Sequence, residues 1–286
     1  MRNVDEAVIL VTGATDGLGR RVARDLAAEG ATVLLHGRSR ERAQAAAVRE
    51  IGEETENDGL SYYLADLSSL AEVRRLAGEV SSDHARLDVL VNNAGIGSGP
   101  SGGSHRRVSK DGFELTFAVN YLSCFLLTNL LLPLLRGSAP ARIVNVASAG
   151  QAPIDFSDVM LKRDYDGWRA YAQSKLAQIM FTFSLAERLE GSGVTANALH
   201  PASLMDTKMV RESFGYTMST VEEGAAATER LAVSPDLEGV SGRYFDGQRE
   251  ARAKDQAYDR QARERLWTLS EKLCGLALSG NGGSTA

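Results

Sequence analysis

The pentapeptide YAQSK, residues 171–175, sets a phenol and an amine four residues apart. On a helix, positions i and i+4 share one face, so Tyr171 and Lys175 would stand side by side. A free tyrosine, with a pKa of ~10, exchanges protons poorly at neutral pH. A nearby cation favours the phenolate and lowers that value, which makes the pair a candidate for proton transfer to or from an oxygen. The pattern alone is not specific. With eight tyrosines and six lysines in 286 residues, such a pair arises by chance in about one chain in five, and an ordinary helix-surface pair explains it equally well. Context sharpens it, because the pair opens a helical stretch that follows the strand-like run ARIVNVAS (141–148), which ends in Ser148.

A second constellation lies near the N-terminus. TGATDGLG (12–19) joins the apolar run AVILVT (7–12) to the amphipathic LGRRVARDLAAEG (18–30). Gly13, Gly17 and Gly19 thus sit between a strand and a helix N-terminus. There, free amides and the positive end of the helix dipole receive a pyrophosphate. The spacing is G-x3-G-x-G rather than the common G-x-G-x-x-G, and a plain glycine-rich turn is the competing reading. The second strand ends in LHGRS (35–39). A carboxylate there would hold a ribose 2′-hydroxyl and select NAD, whereas an arginine accommodates the 2′-phosphate of NADP. Gly37 leaves the carboxylate slot empty and Arg38 follows it. NADP(H) is the expected cofactor, NAD(H) a weaker alternative, and a surface arginine the competing reading. Asp16 is a counter-signal, since it brings negative charge to the phosphate loop. Asp66, after the third strand, suits a hydrogen bond from an adenine amine, or it N-caps the next helix, a role open also to Ser68.

These groups must be held by a framework. Strand-like runs at 7–12, 31–37, 60–66, 87–93, 141–148, 193–200 and 241–247 alternate with helical stretches at 18–30, 39–51, 69–82, 111–135, 168–190, 221–233 and 256–274. Strands separated by helices imply right-handed βαβ crossovers and a mostly parallel sheet covered on both faces. The expected fold is a single doubly wound α/β domain of the Rossmann type over residues 1–278, with seven strands and a disordered tail at 279–286. The stretches 95–107, 149–167 and 204–220 read as irregular.

Composition narrows the function. Hydrophobic residues make up 43% and charged residues 24%, and the formal charge is −5, which argues against a nucleic-acid partner. The two cysteines, Cys124 and Cys274, form no CxxC pair, which points to a reducing compartment. The N-terminal MRNVDEAVILVTG is too short and wrongly flanked for a signal peptide. The most apolar stretch, YLSCFLLTNLLLPLL, contains polar residues and a proline and reads as a buried helix, not a membrane span. No His/Cys/Asp cluster has metal-ligand spacing, so no catalytic metal is expected.

TGATDGLG (12–19), Asp66, NNAG (92–95), Asn120, Ser148, YAQSK and His200-Pro201 stand in the order found in the short-chain dehydrogenase/reductase family, which the chain resembles over about residues 5–250. HGRS, the NVAS…YAQSK…GVT…LHP run and SGRYFDG most resemble the retinol-dehydrogenase and WW-domain-oxidoreductase branch. Its animal members often carry an N-terminal membrane anchor, and the chain is more similar to a soluble bacterial relative, expected in the cytoplasm.

The resemblance implies that Ser148 holds the substrate oxygen and that Tyr171 is the general acid or base. Lys175 would support Tyr171 and hydrogen-bond the nicotinamide ribose, and Asn120 would hold a relay water near Lys175, unless it is only a structural hydrogen-bonder. It implies cofactor contacts from Thr15, Asp16 and Leu18 in the glycine loop, from Asp66 and Leu67, from Asn93, Ala94 and Gly95, and from Pro201, Ala202 and Leu204. Asn93 and Gly95 also suit a tight strand-end turn. Two departures stand out. Ala147 replaces the first of two usual serines, and PASLMDT (201–207) replaces Pro-Gly followed by a threonine, so either Thr207 or Asp206 occupies the threonine slot. His200, before a proline, reads as structural.

Ile154, Phe156, Met160, Trp168, Leu204, Met205, Met209, Phe214 and Met218 lie in the irregular stretches or at their borders. They point to an apolar or aromatic carbonyl or alcohol substrate, or else pack against the domain itself. The family commonly forms dimers or tetramers through its long helices. Two alternatives share the fold: a non-catalytic NADP sensor, and a nucleotide-sugar epimerase or dehydratase. The intact Ser/Tyr/Lys set opposes the first. The glycine spacing and the short C-terminal part oppose the second.

Overall fold

A computed structural model describes residues 3–38, 49–98 and 105–277. Among the described residues, eight strands form one sheet: β1 Val8–Val11, β2 Thr32–Gly37, β3 Leu60–Leu64, β4 Val89–Asn92, β5 Ala141–Val146, β6 Val194–His200, β7 Tyr244–Asp246 and β8 Arg249–Glu250. The spatial order is β3-β2-β1-β4-β5-β6-β7-β8, parallel throughout except for the last pair. The seven expected strands are all present. The eighth is a correction: it is a two-residue return after Gly247, whose φ of +55° suits the first position of a two-residue hairpin loop. Strand order reverses between β1 and β4, the switch point at which open α/β sheets bind ligands.

The helices are α1 Gly17–Ala28, α2 Ile51–Thr55, α3 Leu70–Asp83, α4 Leu115–Gly137, α5 Gly167–Arg188, α6 Lys208–Phe214, α7 Val221–Val233 and α8 Arg260–Cys274. Most of the helix expected at 39–51 lies outside the described residues, as do 99–104 of the loop and the tail. Helix α6 falls in a stretch read as irregular. It is one short helix, capped by Thr207, which accepts from the Val210 amide, and ended by Gly215 at φ +76°, so it is too brief to show a period. The helix expected at 256–274 divides because the Asp259 carboxylate accepts from the Gln261 and Ala262 amides and starts α8 afresh after a 3-10 turn.

Alternate residues of the inner strands feed two cores. Leu10, Leu34, Leu90, Ile143 and Ala196 face α3, α4 and α5, while Ile9, Val33, Val89 and Val144 face α1 and α7. Helix α4 is long and apolar enough to cross a membrane, with a mean hydropathy of 1.7, but 67% of that stretch is buried, as expected for a core helix. Helix α5 is buried on nearly every side from Ala170 to Leu185. Helix α8 closes the outer side. Trp267 packs 5.1 Å from Phe125 and 5.7 Å from Phe181 between ring centroids, with the Arg188 guanidinium 4.0 Å over its ring. The aromatic face shared by α4 and α5 is therefore filled by this chain's own helix.

Helix α1 carries the glycine loop and rests against α7. At that contact Arg21 donates to Asp25 at 2.6 Å, and the half-buried Glu229 lies beside the same carboxylate. Burial, reinforced by the Asp25 charge, holds the Glu229 carboxyl well above its ordinary value of 4.5. The folded chain thus keeps a proton that the unfolded chain releases, and stability falls as pH rises from 4.5 through the raised value. Glu229→Gln should melt with the wild type at pH 5 and above it at pH 8.5 in thermal unfolding followed by circular dichroism. A Tm difference independent of pH would contradict this.

Candidate active site

The glycine loop leaves β1 through a dense set of hydrogen bonds. Thr12 Oγ1 accepts from the Asn93 and Ala94 amides at 2.9 and 3.0 Å, and Asn93 Nδ2 donates to Thr12 O at 2.8 Å. The Gly13 amide donates to His36 Nδ1 at 3.1 Å. Because an amide only donates, the imidazole proton is on Nε2, which donates to Ala65 O at 3.1 Å. Burial pushes His36 down to about 4, so it stays neutral and ties the ends of β1, β2 and β3 together. His36 is a positioning residue that sequence reasoning missed; its partners are distant in the chain, and only strand register brings them together.

The glycines are required by close approach. A Cβ on Gly19 would lie 2.3 Å from both Gly13 O and Asn93 Nδ2, and one on Gly13, at φ +68°, would lie 2.9 Å from Ala94 Cα. Gly37 faces Thr15 and the Tyr62 hydroxyl, which a Cβ would meet at 2.4 and 2.8 Å. Arg38, next along, is exposed. The Asp16 carboxylate caps α1, accepting from the Gly17 amide at 2.7 Å. Leu18 is buried in the core beneath the loop.

Asp66 does not cap the following helix, and neither does Ser68. The Asp66 carboxylate accepts from the Ser68 amide at 3.0 Å and meets Lys110 at 3.4 Å, while Asp111 takes the Leu70 amide at 2.8 Å. Leu67 is buried beside it. Asn93 acts first as a clamp on the glycine loop, through the bonds above. A Cβ on Gly95 would come 3.3 Å from Asn120 Oδ1 and 3.6 Å from Lys175 Nζ, so the NNAG turn leads straight to the next group of residues.

That group comes from β5, α4 and α5. Asn120 is fully buried in a π-helical turn, Ala118–Leu122, a distortion that recurs at functional sites. Its Oδ1 accepts from the Ile96 amide at 2.8 Å, and its Nδ2 donates to Ile96 O and Ser174 Oγ, each at 3.0 Å. Every bond holds backbone or helix in place, so the structural role of Asn120 is met in full. Ser148 follows β5, accepts from the Gly150 amide at 3.0 Å and lies near enough to the Tyr171 phenol to lower its pKa.

Lys175 Nζ donates to Val146 O and to Gln178 Oε1, each at 2.9 Å, and stands 5.8 Å from the Tyr171 ring centre. One charge effect differs from expectation. Burial raises the Tyr171 pKa, partly offset by Ser148, and lowers Lys175 to about 8. Desolvation outweighs the opposing effect of Ser148, so the phenol keeps its proton at neutral pH. Gln178 was also missed, although its i+3 spacing from Lys175 was a usable signal.

Beyond β6, Pro201 is buried and Ala202 half-buried, and His200 Nε2 meets Ser203 Oγ at 3.1 Å, in line with a structural histidine. Leu204 holds a left-handed φ of +45°, and its carbonyl accepts from the Met218 amide at 2.9 Å. The two candidates for the threonine slot separate here. Asp206 is exposed and pairs with Arg211 at 2.6 Å, while the Thr207 methyl lies 3.2 Å from where a Gly17 Cβ would be, over the glycine loop.

The apolar residues of the irregular stretches divide. Ile154 is buried in the core, and Phe156 and Met160 pack against it. Trp168, Met209 and Met218 are exposed, and of these three Trp168 is in ring contact with Tyr171. The Phe214 side chain lies outside the described ones.

A model of the short chain dehydrogenase family matches residues 7–215. Retinol dehydrogenase 13 of Mus musculus is 41% identical over 288 residues, which span 95% of this chain and 84% of that one. Polyprenol dehydrogenase of Homo sapiens is 36% identical over 289 residues, 95% and 86% of the two chains. Among solved structures, the NADP active-site complex of Pseudomonas aeruginosa RhlG superposes with a TM-score of 0.69 at 28% identity, covering 86% of this chain and 97% of that one.

The close packing at Gly19 has a direct consequence. Gly19→Ala should abolish NAD(P)H binding in a fluorescence titration and lower Tm, because its methyl must displace Gly13 or Asn93. Gly78→Ala, whose methyl meets nothing within 4 Å, should bind normally and gain about 0.5–1 kcal/mol of stability. Unimpaired binding by Gly19→Ala would contradict the assigned loop geometry.

Proposed function

Because this chain belongs to the short chain dehydrogenase family, on its retinol dehydrogenase branch, we propose that it is an NADP(H)-dependent oxidoreductase. In this reading it interconverts an apolar aldehyde or ketone and the corresponding alcohol, with Tyr171 as the acid–base group. The observation that carries the reading is the convergence of Ser148, Tyr171 and Lys175, joined through Gly95 to the glycine loop. The residues present fit a nicotinamide dinucleotide. Side chains at Gly13 and Gly19 would collide with the loop's own frame, and the loop opens onto the N-terminus of α1. Arg38, exposed after a strand that ends in glycine rather than a carboxylate, supports NADP over NAD.

When bound, the cofactor supplies or accepts the hydride. The chain's own residues do the rest. Ser148 holds the substrate oxygen within reach of Tyr171. In reduction, the buried phenol gives its proton to the oxygen of the carbonyl; in oxidation, the phenolate takes it back. Lys175, fixed by Val146 O and Gln178, limits the cost of that phenolate through its charge. Asn120 keeps α4 and the Ile96 backbone in register beside the lysine.

An apolar alcohol is supported by the names of the relatives, which are dehydrogenases of retinol and of a polyprenol. The cytosol is the proposed location, on the strength of the free, buried Cys124 and Cys274. Neither a sensor nor an epimerase gains an observation in its favour.

Tyr171→Phe should lower kcat by about 10²–10⁴ for any accepted carbonyl, with the Kd for NADPH changed less than about threefold in a titration of its fluorescence; retained turnover sinks the acid–base role. In the same titration, Arg38→Ala should weaken NADPH at least about tenfold more than NADH, and equal losses refute its phosphate role.

A further inference from the structure

Trp168 is the second residue of α5 and precedes Tyr171 by three, so the two rings lie on one helix face. Their centroids are 5.7 Å apart and the planes are tilted by 30°. The indole is 43% exposed, which is unusual for a tryptophan packed against so buried a site. Its seat is specific. A Cβ on Gly150 would lie 2.7 Å from Trp168 Cη2 and 3.5 Å from Ser148 Oγ. The absence of a side chain at Gly150 is therefore what lets the six-membered edge of the indole lie beside the serine, while the Gly150 amide donates to that serine's oxygen at 3.0 Å. The tryptophan, Gly150, Ser148 and Tyr171 are thus neighbours, with the indole the most exposed of the four and Ser148 buried.

The geometry points to Trp168 as a specificity-determining residue, an aromatic wall that selects carbonyl compounds carrying a flat, conjugated group next to the reacting carbon. This deepens the oxidoreductase reading and rests on it. With the substrate oxygen held by Ser148 and Tyr171, the group bonded to the carbonyl carbon comes within reach of the exposed indole that contacts the Tyr171 ring. A conjugated substituent gains offset stacking and apolar burial there, while a short aliphatic one reaches too little of the ring to do so. Of the exposed large apolar residues, Met209, Tyr216 and Met218 lie along or beside α6, whereas Trp168 makes ring contact with the proton donor.

Steady-state kinetics with NADPH and two aldehydes test this: butanal, which is short and saturated, and trans-cinnamaldehyde, which is conjugated. The wild type should prefer cinnamaldehyde in kcat/KM. Trp168→Ala should lose that preference by about tenfold or more, mainly through KM, while butanal changes less than about threefold. Trp168→Phe should restore most of the preference. Gly150→Ala keeps the indole but pushes it off its seat, and should shift the ratio in the same direction as Trp168→Ala.

A second readout does not need turnover. Cinnamyl alcohol should quench the indole fluorescence of the wild-type protein with NADP bound, and Trp168→Ala should lose most of that quenching. Equal losses on both aldehydes in Trp168→Ala would make the tryptophan only a prop for Ser148 and Tyr171 and overturn the proposal, as would an unchanged ratio or a wild type without quenching. Failure of the oxidoreductase reading looks different: the wild type would then oxidise NADPH with neither aldehyde, whatever Trp168→Ala does.

Discussion

Lys175 is almost fully buried, and a buried ammonium must find acceptors or lose its proton. Here it finds two, Val146 O at the end of β5 and Gln178 one turn along α5. Those bonds fix the amine relative to both the sheet and the helix that carries Tyr171. They also sit at the edge of a larger polar seam. Asn145 accepts from Asn92 Nδ2 at 2.8 Å and donates to Thr182 at 2.8 Å, and Asn92 also donates to Thr128 at 2.9 Å. The seam joins β4 and β5 to α4 and α5 through side chains on a single core. In a low-dielectric interior such a chain is costly to break at any one link, so it specifies how the two long helices sit on the sheet. The proton chemistry proposed for Tyr171 thus rests on polar groups several residues away from it.

The cofactor side depends on a different constraint, close approach of backbone to backbone. The Thr12–Asn93 bonds join β1 to β4 at the switch point, and the neutral His36 adds the ends of β2 and β3. Glycines occur where these strands' extensions crowd together. The phosphate loop is therefore a consequence of sheet topology, and the NNAG turn carries that frame to Asn120 and Lys175. The two halves of the site meet at Gly95, where a Cβ would crowd Asn120 and touch Lys175.

Much of this was legible in the sequence. Parallel strands buried on both faces read as continuous apolar runs, so β1 to β7 and their order of helices could be recovered, and the Tyr171–Lys175 spacing translated directly into a shared helix face. What escaped was short or non-local. Strand β8 has two residues and no period, although Asp246-Gly247 held a hairpin signal. Helix α6 is shorter than any window that detects amphipathicity. The Gly13–His36 contact needs the β1–β2 register, and the register is a property of the sheet. The direction of the Tyr171 shift was missed for another reason: spacing shows that a cation is near, but only burial shows the desolvation that raises the phenol's pKa. The placement of Thr207 likewise depended on a backbone turn at Leu204 that no pattern announces.

In the proposed function, the protonated phenol, the serine near it and the glycine loop together add hydride and proton to one carbonyl group. The most direct test is to follow both atoms. The protein is supplied with NADPH deuterated at the transferable C4 position and a panel of apolar aldehydes and ketones, and the alcohols formed are analysed by mass spectrometry. The expected product carries one deuterium on the former carbonyl carbon and a hydroxyl hydrogen drawn from solvent. Tight binding of NADPH with no deuterium delivered to any member of the panel would contradict it.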